Sequence, residues 1–431
     1  MIKLLVAHHT LPNVTTAATM AFDNLLPIMS KYDRIHMTWL IYGPEKIEIP
    51  PNLNNNEMSV IDIHDFSDGL DVINKIKPNI VFSSFSINPI NHAFALAAQR
   101  KKILLIGEYH PEVTSISNEK KMLLEFSKNL FSNSIPTDKN LNQKKFMRRG
   151  QFFLYKIKFL LKTHKACKSN ILKIIKELFV FLWSFYSYTK NPNKDMKFGS
   201  DLYLISGKKT YQDAIANGYP PENLFLCGNV RYDSLFKNFK NLKEKSTSKK
   251  LQILMITTPF YEHGWWSKKQ RDEIIYSITK EIIQHQNYEL TIKIHPSSEN
   301  LSEYKKIIHP INSTIPIFQE GDVSEFLEES DLVISFLSSD AVFSSLFSLK
   351  PIIFFNMGQY KNDLLVEKEL VSECNSINTL SSIIDSTFSN HKIIKKKIEI
   401  FIEDYFFKSD GESSERVTKK LFELLKNRNI K

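Results

Sequence analysis

The sequence predicts a two-domain α/β protein in which helices flank parallel sheets. Three observations carry that expectation. Short runs of β-forming apolar residues alternate with helical stretches at the spacing of strand–helix–strand units. The rhythm occurs twice, before and after the lysine-rich run Phe239–Lys250, which reads as an interdomain linker. Several predicted strands end on polar residues, as strands do when they deliver loops to a ligand cleft. At 431 residues the chain is long for one core and comfortable for two. The expected units are a first domain, 1–240, a second domain, 251–395, and C-terminal helices, 396–431, that could pack back across the cleft.

In the first half, Ile2–Ala7 is an apolar strand that ends at His8-His9-Thr10, and a helix follows over Thr19–Ser30. Ile35–Tyr42 and Val60–Ile63 are the next strands. Gly69–Ile76 is a helix closed by Pro78, and Ile80–Phe82 a strand followed by Ser83-Ser84. Ala93–Arg100 is a helix, and Ile103–Gly107 a strand that ends in Glu108-Tyr109-His110-Pro111. The rhythm resumes later with a strand over Asp201–Ser206, a helix over Lys208–Ala216 capped by Gly218, and a strand over Leu224–Leu226.

Residues 144–197 interrupt the pattern. They hold fourteen lysines and arginines against two acids, Glu177 and Asp195, a net +12. The whole chain carries +10, so the remainder is slightly acidic and the basicity belongs to this segment. Its aromatic and lysine residues lack β alternation and turn residues, which predicts helices with an apolar and a basic side. Phe152, Phe153, Phe159, Phe179, Phe181, Trp183, Tyr186 and Tyr188 beside these lysines suit a membrane interface. A packed helical pair with solvated lysines is the structural alternative.

In the second half, Leu251–Thr257 opens the new domain and Thr258–Trp266 is a long loop facing the cleft. Lys268–Gln286 is a helix. Tyr288–Ile294 is a strand that delivers His295-Pro296-Ser297-Ser298. Leu332–Ser335 is a strand that delivers Ser338-Ser339 to a helix over Ala341–Ser348, and Pro351–Phe355 is a buried strand. An imidazole, two hydroxyls and a helix N-terminus at successive strand ends suit a phosphate group. His295, Pro296, Ser297, Ser338 and Ser339 are therefore the candidate donor-binding residues. Lys293 lies roughly 7 Å further back along its strand and is left out.

His295-Pro296, Ser338-Ser339, the phrase SDLVISFLSSDAVFSSLFSLKPIIFF and Asp410-Gly411 in SDGESSERV carry a family resemblance. The sequence resembles bacterial surface-polymer transferases of GT-B fold that use cytidine-activated donors. These include sialyl- and polysialyltransferases, Kdo transferases and CDP-glycerol glycerophosphotransferases. The phrase Gly228-Asn229-Val230-Arg231-Tyr232-Asp233 is similar to the end of the first domain in Kdo transferases and hexosamine epimerases. The resemblance covers the second half well and the first half poorly. It implies two Rossmann-like domains facing a cleft, with the donor nucleotide on the second. It implies a metal-independent glycosyltransferase that moves a sialic-type or Kdo-type sugar from a CMP donor to a cell-surface glycan or lipid-linked acceptor. A CDP-polyol donor of teichoic-acid type is the close alternative.

The catalytic base is expected across the cleft, from His8, His9, Glu108 or His110. Asp410, Gly411 and Thr258 are the further cleft candidates, although Ser409 and Glu412 also have capping-box spacing before a terminal helix, Ser413–Lys426. No metal site is expected, since no Asp-x-Asp or Cys/His cluster stands along the chain, and no cofactor is implied. Cys167, Cys227 and Cys374 have no metal or redox spacing. A non-hydrolysing UDP-hexosamine 2-epimerase shares the architecture, but the chain lacks that family's His-Arg-x-Glu-Asn phrase. A non-enzymatic basic lipid- or nucleic-acid-binding protein is the other rival. Against nucleic acid, the charge sits in one amphipathic segment without a nucleic-acid module. The first apolar run is too short for a signal peptide, and no window is apolar enough to span a bilayer. The expected location is cytoplasmic, peripheral at the inner face of the plasma membrane.

Overall fold

The computed structural model describes residues 1–14, 16–43, 45–84, 89–109, 114–115, 139–188, 200–216, 218–239, 250–262, 265–296, 298–358 and 362–429. The first sheet is built from β1 (Ile2–His8), β2 (Ile35–Ile41), β3 (Met58–Asp62), β4 (Ile80–Ser84), β5 (Leu104–Tyr109), β7 (Leu202–Ile205) and β8 (Leu224–Leu226). These seven strands run parallel in the order β3-β2-β1-β4-β5-β7-β8, while β6 (Thr114–Ser115) stands apart from them. The central strands are apolar on both sides because helices cover both faces. Leu4, Val6, Leu104 and Ile106 face one core with Phe22 and Leu25 of α1 (Ala17–Met29), and Leu5 and Leu105 face the other. That second core is closed by α2 (Gly69–Ile76), α3 (Pro89–Lys101) and α4 (Lys139–Ala166), through Val72, Phe94 and Phe159.

The basic segment carries α4 and α5 (Ile171–Tyr188), and residues 189–199 lie outside the described residues. Helix α4 starts ahead of the predicted segment and packs along α3 by Phe159 and Leu160, both buried. Among the described residues no helix is long and apolar enough to cross a membrane.

After α6 (Lys208–Ala216) and α7 (Asp233–Phe239) come the elements of the second sheet. They are β9 (Leu251–Ile256), α8 (Lys268–Ile283), β10 (Tyr288–Lys293), α9 (Leu301–Ile308), β11 (Ile317–Phe318), α10 (Val323–Glu329), β12 (Leu332–Ser335), α11 (Asp340–Phe347), β13 (Ile352–Phe355), β14 (Asn362–Asp363), α12 (Leu364–Glu367) and β15 (Ser372–Cys374). Six of the strands are parallel in the order β11-β10-β9-β12-β13-β15. The β14 strand instead pairs antiparallel with β6 of the first domain, Asp363 opposite Thr114 and Asn362 opposite Ser115. This two-stranded bridge ties the loop after β13 to the loop after β5.

Helices α13 (Leu380–Ser389), α14 (His391–Phe406) and α15 (Ser413–Asn429) complete the chain. Helix α15 returns to the first domain, where Val417 and Leu421 are buried beside Trp39 and Val6. The sequence pattern offers Ser409 and Glu412 as a capping box for it, and the structure differs. Asp233, 180 residues away, accepts from the amides of Ser413 at 3.0 Å and Ser414 at 2.6 Å. A buried carboxylate fixed by the first domain satisfies the orphan N–H groups better than a solvent-exposed serine can. Helix α14 closes on Gly207, where an added Cβ would lie 2.2 Å from the Tyr405 carbonyl carbon, so only glycine fits.

Candidate active site

On the second domain, β10 leads to His295, and a buried carboxylate sets that loop. Glu299, 4% exposed, accepts the His295 amide at 2.6 Å and the hydroxyls of Tyr304 and Thr257. Burial pushes its carboxyl up, against the pull of these donors. Gln319 adds a second clamp, its Nε2 donating to the carbonyls of Pro296 at 3.1 Å and Glu299 at 2.7 Å. The His295 ring is half-buried at the loop's edge, and Ser297 lies outside the described residues. Sequence reasoning missed Glu299, because a glutamate just ahead of a helix cap reads as solvated. Lys293 points inward and donates to the Gln319 carbonyl at 2.7 Å; burial lowers its pKa. It braces the same loop from below.

At the end of β12, Ser339 caps α11 by accepting the Val342 amide at 3.3 Å. The remaining orphan N–H groups of that helix lie at the same sheet edge as His295. Ser338 donates its hydroxyl to Asp363 Oδ2 at 2.7 Å. Asp363 is 1% exposed, caps α12 through the Leu365 amide and is half of the bridge to β6. One carboxylate thus couples Ser338 to the strand-end loop of the first domain. Thr258, half-buried, closes a tight turn by accepting the Phe260 amide at 2.7 Å. Behind it Phe260, Trp266 and Phe336 form an apolar floor with ring centroids 4.7 and 5.7 Å apart.

On the first domain, the registers Val6↔Phe82 and Ser84↔Glu108 set His8, Ser84 and Glu108 level on three adjacent strands. Side-chain alternation turns His8 and Glu108 toward one sheet face, roughly 10 Å apart across β4. Both belong to their strands and not to the following loops, one residue further than the sequence pattern predicts. The loop after β1 is pinned by Trp39, whose Nε1 donates to the Thr10 carbonyl at 2.8 Å. Burial and the neighbouring His9 pull the His8 pKa down to about 4. The Thr10 amide donates to His8 Nδ1 at 3.2 Å, which assigns the ring proton to Nε2. In that tautomer, with its pKa this low, His8 is a poor base. His9 stacks on it at 4.5 Å; burial and Lys156 of α4 lower its pKa too. His110 lies outside the described residues.

Asp410 and Gly411 stand where α15 meets the first domain. Asp410 pairs with Arg416 at 2.8 and 3.1 Å, and Arg416 Nε donates to the Cys227 carbonyl at 2.7 Å. Burial raises the Asp410 carboxyl, but the Arg416 hydrogen bonds outweigh it and hold it below its ordinary value. Gly411 has φ +75°, and a Cβ there would meet the Asp233 carbonyl at 2.8 Å. Burial, joined by the charges of Glu108 and Asp233, pushes the Cys227 thiol up to about 12. The junction therefore sits against the sheet face that carries Glu108.

The geometry is that of a GT-B-like fold, and comparison with known proteins agrees. The structure of MnaA from S. aureus with UDP is similar at 13% identity and a TM-score of 0.57, covering 99% of this chain and 97% of that one. The wall teichoic acid polymerase TagF is similar at 12% identity and a TM-score of 0.53, covering 99% and 90%. The Neisseria meningitidis UDP-GlcNAc 2-epimerase bound to UDP-GlcNAc is similar at 13% identity and a TM-score of 0.53, covering 98% and 100%. At such identities the likeness is one of fold, shared by transferases and epimerases alike. No curated protein sequence matches the chain. The family model separates the two classes: that of CDP-glycerol:poly(glycerophosphate) glycerophosphotransferase matches residues 182–423, from within α5 to within α15. The span holds the whole second sheet, the His295 and Ser338-Ser339 loops and the Asp410 junction, and on it the chain belongs to the CDP-glycerol glycerophosphotransferase family.

Proposed function

We propose that the protein transfers a polyol phosphate from a CDP-linked donor to a hydroxyl of a surface-polymer or lipid-linked acceptor. The observation that carries this reading is the family match over the span that holds His295, Ser338, Ser339 and the α11 N-terminus at one sheet edge. The sequence motifs alone lead first to a CMP-activated sugar as donor. The family match supports the CDP-polyol alternative better, and nothing in it favours a sialic-type or Kdo-type donor.

In this reaction an acceptor oxygen attacks the phosphorus that bears the polyol. The bond from that phosphorus to the bridging oxygen breaks, and CMP leaves with the electron pair. The leaving phosphate gains charge, which the α11 N–H groups, His295 and the Ser338 hydroxyl would meet. For that, Ser338 turns its proton from Asp363 to the phosphate, a rotation a hydroxyl makes easily. The acceptor's proton goes to Glu108, the carboxylate level with His8 on the opposing sheet. His8, neutral with its proton on Nε2, orients the nucleophile or the phosphate as a donor.

The basic helices supply a second element of the reading, contact with an anionic membrane surface that presents a lipid-linked acceptor. Ile171, Leu172, Ile175 and Phe179 of α5 are 59–71% exposed, and Leu154 and Leu161 of α4 are exposed as well. Lys158, Lys162, Lys165, Lys173 and Lys176 are exposed beside them. Apolar side chains at the headgroup boundary and roughly 1 kcal/mol per nearby lysine act together on such a surface. The protein would then work at the cytoplasmic face of a membrane.

The purified chain, offered CDP-glycerol or a CMP-sugar with a glycerol-phosphate oligomer as acceptor, is expected to release CMP only from the first. Release from the CMP-sugar alone would overturn the donor assignment. Binding to anionic vesicles that weakens with salt and vanishes when Ile171, Leu172, Ile175 and Phe179 become serine supports the membrane role. Equal binding by the variant removes it.

A further inference from the structure

We propose that His92, His164 and Glu177 form a zinc-class metal site that fastens the basic helix α5 to α3 and α4. The three residues come from three helices and meet at one point, with their ligand atoms within 4.8 Å of one another. Glu177 Oε2 lies 3.2 Å from His92 Nε2 and 3.3 Å from His164 Nε2. Zinc bonds of about 2.0–2.1 Å in tetrahedral array put neighbouring ligand atoms ~3.4 Å apart, so two of the three edges already have that length. Two imidazoles and one carboxylate suit zinc better than magnesium or calcium, and three protein ligands leave a fourth position for water.

The second observation is the state of His164. Its side chain is fully buried, and its Nε2 has no hydrogen-bond partner among the described residues despite facing the Glu177 oxygen. Its Nδ1 lies 3.1 Å from Ser169 Oγ, and in the tautomer that donates there, the outer contact that orients a metal-binding imidazole, Nε2 keeps its lone pair. A lone pair facing a carboxylate oxygen calls for a cation between them, a metal ion or a proton, and the zinc titration distinguishes the two. The site is also placed where a fastening is useful. Among the described side chains of α5, the apolar Ile171, Leu172, Ile175 and Phe179 are exposed, whereas α3 and α4 are anchored in the first domain through Phe94, Phe159 and Leu160. Lys173, half-exposed and 3.6 Å from the other Glu177 oxygen, is the local competitor for that carboxylate and is free to turn to solvent.

The test uses the full-length protein, stripped with a chelator, dialysed and titrated with Zn²⁺ against a chromophoric zinc indicator. One equivalent should bind and raise the melting temperature, and Co²⁺ in its place should show the visible bands of a four-coordinate ion. His164→Gln should weaken binding by at least ~100-fold, and Ser169→Ala, which touches only the outer contact, by about 10-fold. If His164→Gln does not fold by circular dichroism, Glu177→Gln, on a half-buried residue, gives the same reading. Absence of stoichiometric zinc in the wild type overturns the site. So does equal affinity in the variants, which would assign the ion to other histidines such as the stacked His8–His9 pair. Saturation by Mg²⁺ at similar concentration overturns the zinc assignment.

Discussion

The two sheets end on different chemistry although they share one architecture. On the second, the groups facing the cleft are fixed hydrogen-bond donors, and the carboxylates that fix them are buried: Glu299 under His295 and Asp363 under Ser338. On the first, the strand ends present titratable groups, His8, His9 and Glu108, and the loop that follows His8 is pinned by the buried indole of Trp39. The proposed function gives this difference a reason: a donor grip must hold geometry against developing charge, while a base must change protonation. Under the proposed function, the donor side is the one braced by buried carboxylates and the acceptor side the one that titrates.

The largest effect that would break this comparison is loss of the base. Glu108→Gln is expected to lower turnover by roughly 10²–10⁴ while leaving donor affinity intact, whereas His8→Gln should cost far less. Single-turnover rates decide it, and a Glu108→Gln enzyme of normal rate with a dead His9→Gln would move the base to His9. Next is His295→Ala, expected to reduce turnover ~100-fold and weaken donor binding, the scale of one preorganised donor. Near-normal CMP release would remove His295 from the grip.

A third experiment sharpens the comparison through the junction between the domains. Asp233→Ala leaves the amides of Ser413 and Ser414 without their acceptor and should cost about 2 kcal/mol, read from urea unfolding. An unchanged midpoint would mean that α15 is held by its apolar face alone. The smallest effect is on pH. His8 falls from an ordinary value of 6.5 to about 4, so between these values the unfolded chain binds the proton that the folded chain refuses. Stability contributed by the neutral ring is full above pH 6.5 and is lost as pH falls toward 4. His9, lowered in the same direction, adds to it. Glu299, raised by burial, acts in the opposite sense and favours the fold at pH values near and below its unfolded pKa. The His8→Gln protein should therefore lose less stability than the wild type between pH 6.5 and 4. An equal loss in both would place the acid sensitivity elsewhere.

The strand ends were legible because composition and period report burial locally. Runs such as Leu332–Ser335 and Pro351–Phe355 are apolar throughout because both faces of a parallel sheet are covered, and a polar residue after such a run marks where cover ends. On that logic the sequence placed His295, Ser338, Ser339, His8 and Glu108 at or just beyond the carboxyl ends of strands, with strand limits off by one or two residues. Glu299, Asp363 and Asp233 were illegible for one reason. Each is an acidic residue in a polar stretch that local pattern reads as solvated, and each is buried only because a distant element covers it.

The sequence by itself determined the two parallel sheets, the confinement of basic charge to residues 144–197 and the phosphate-suited residues at the strand ends, since each depends on neighbours along the chain. Tertiary structure alone decided which partners those residues have. It alone paired β14 with β6, turned Asp233 into the cap of α15, and brought His92, His164 and Glu177 from three helices to within 4.8 Å. Such contacts join residues tens to hundreds of positions apart. Their energy comes from burial and desolvation, quantities that exist only once the chain has folded.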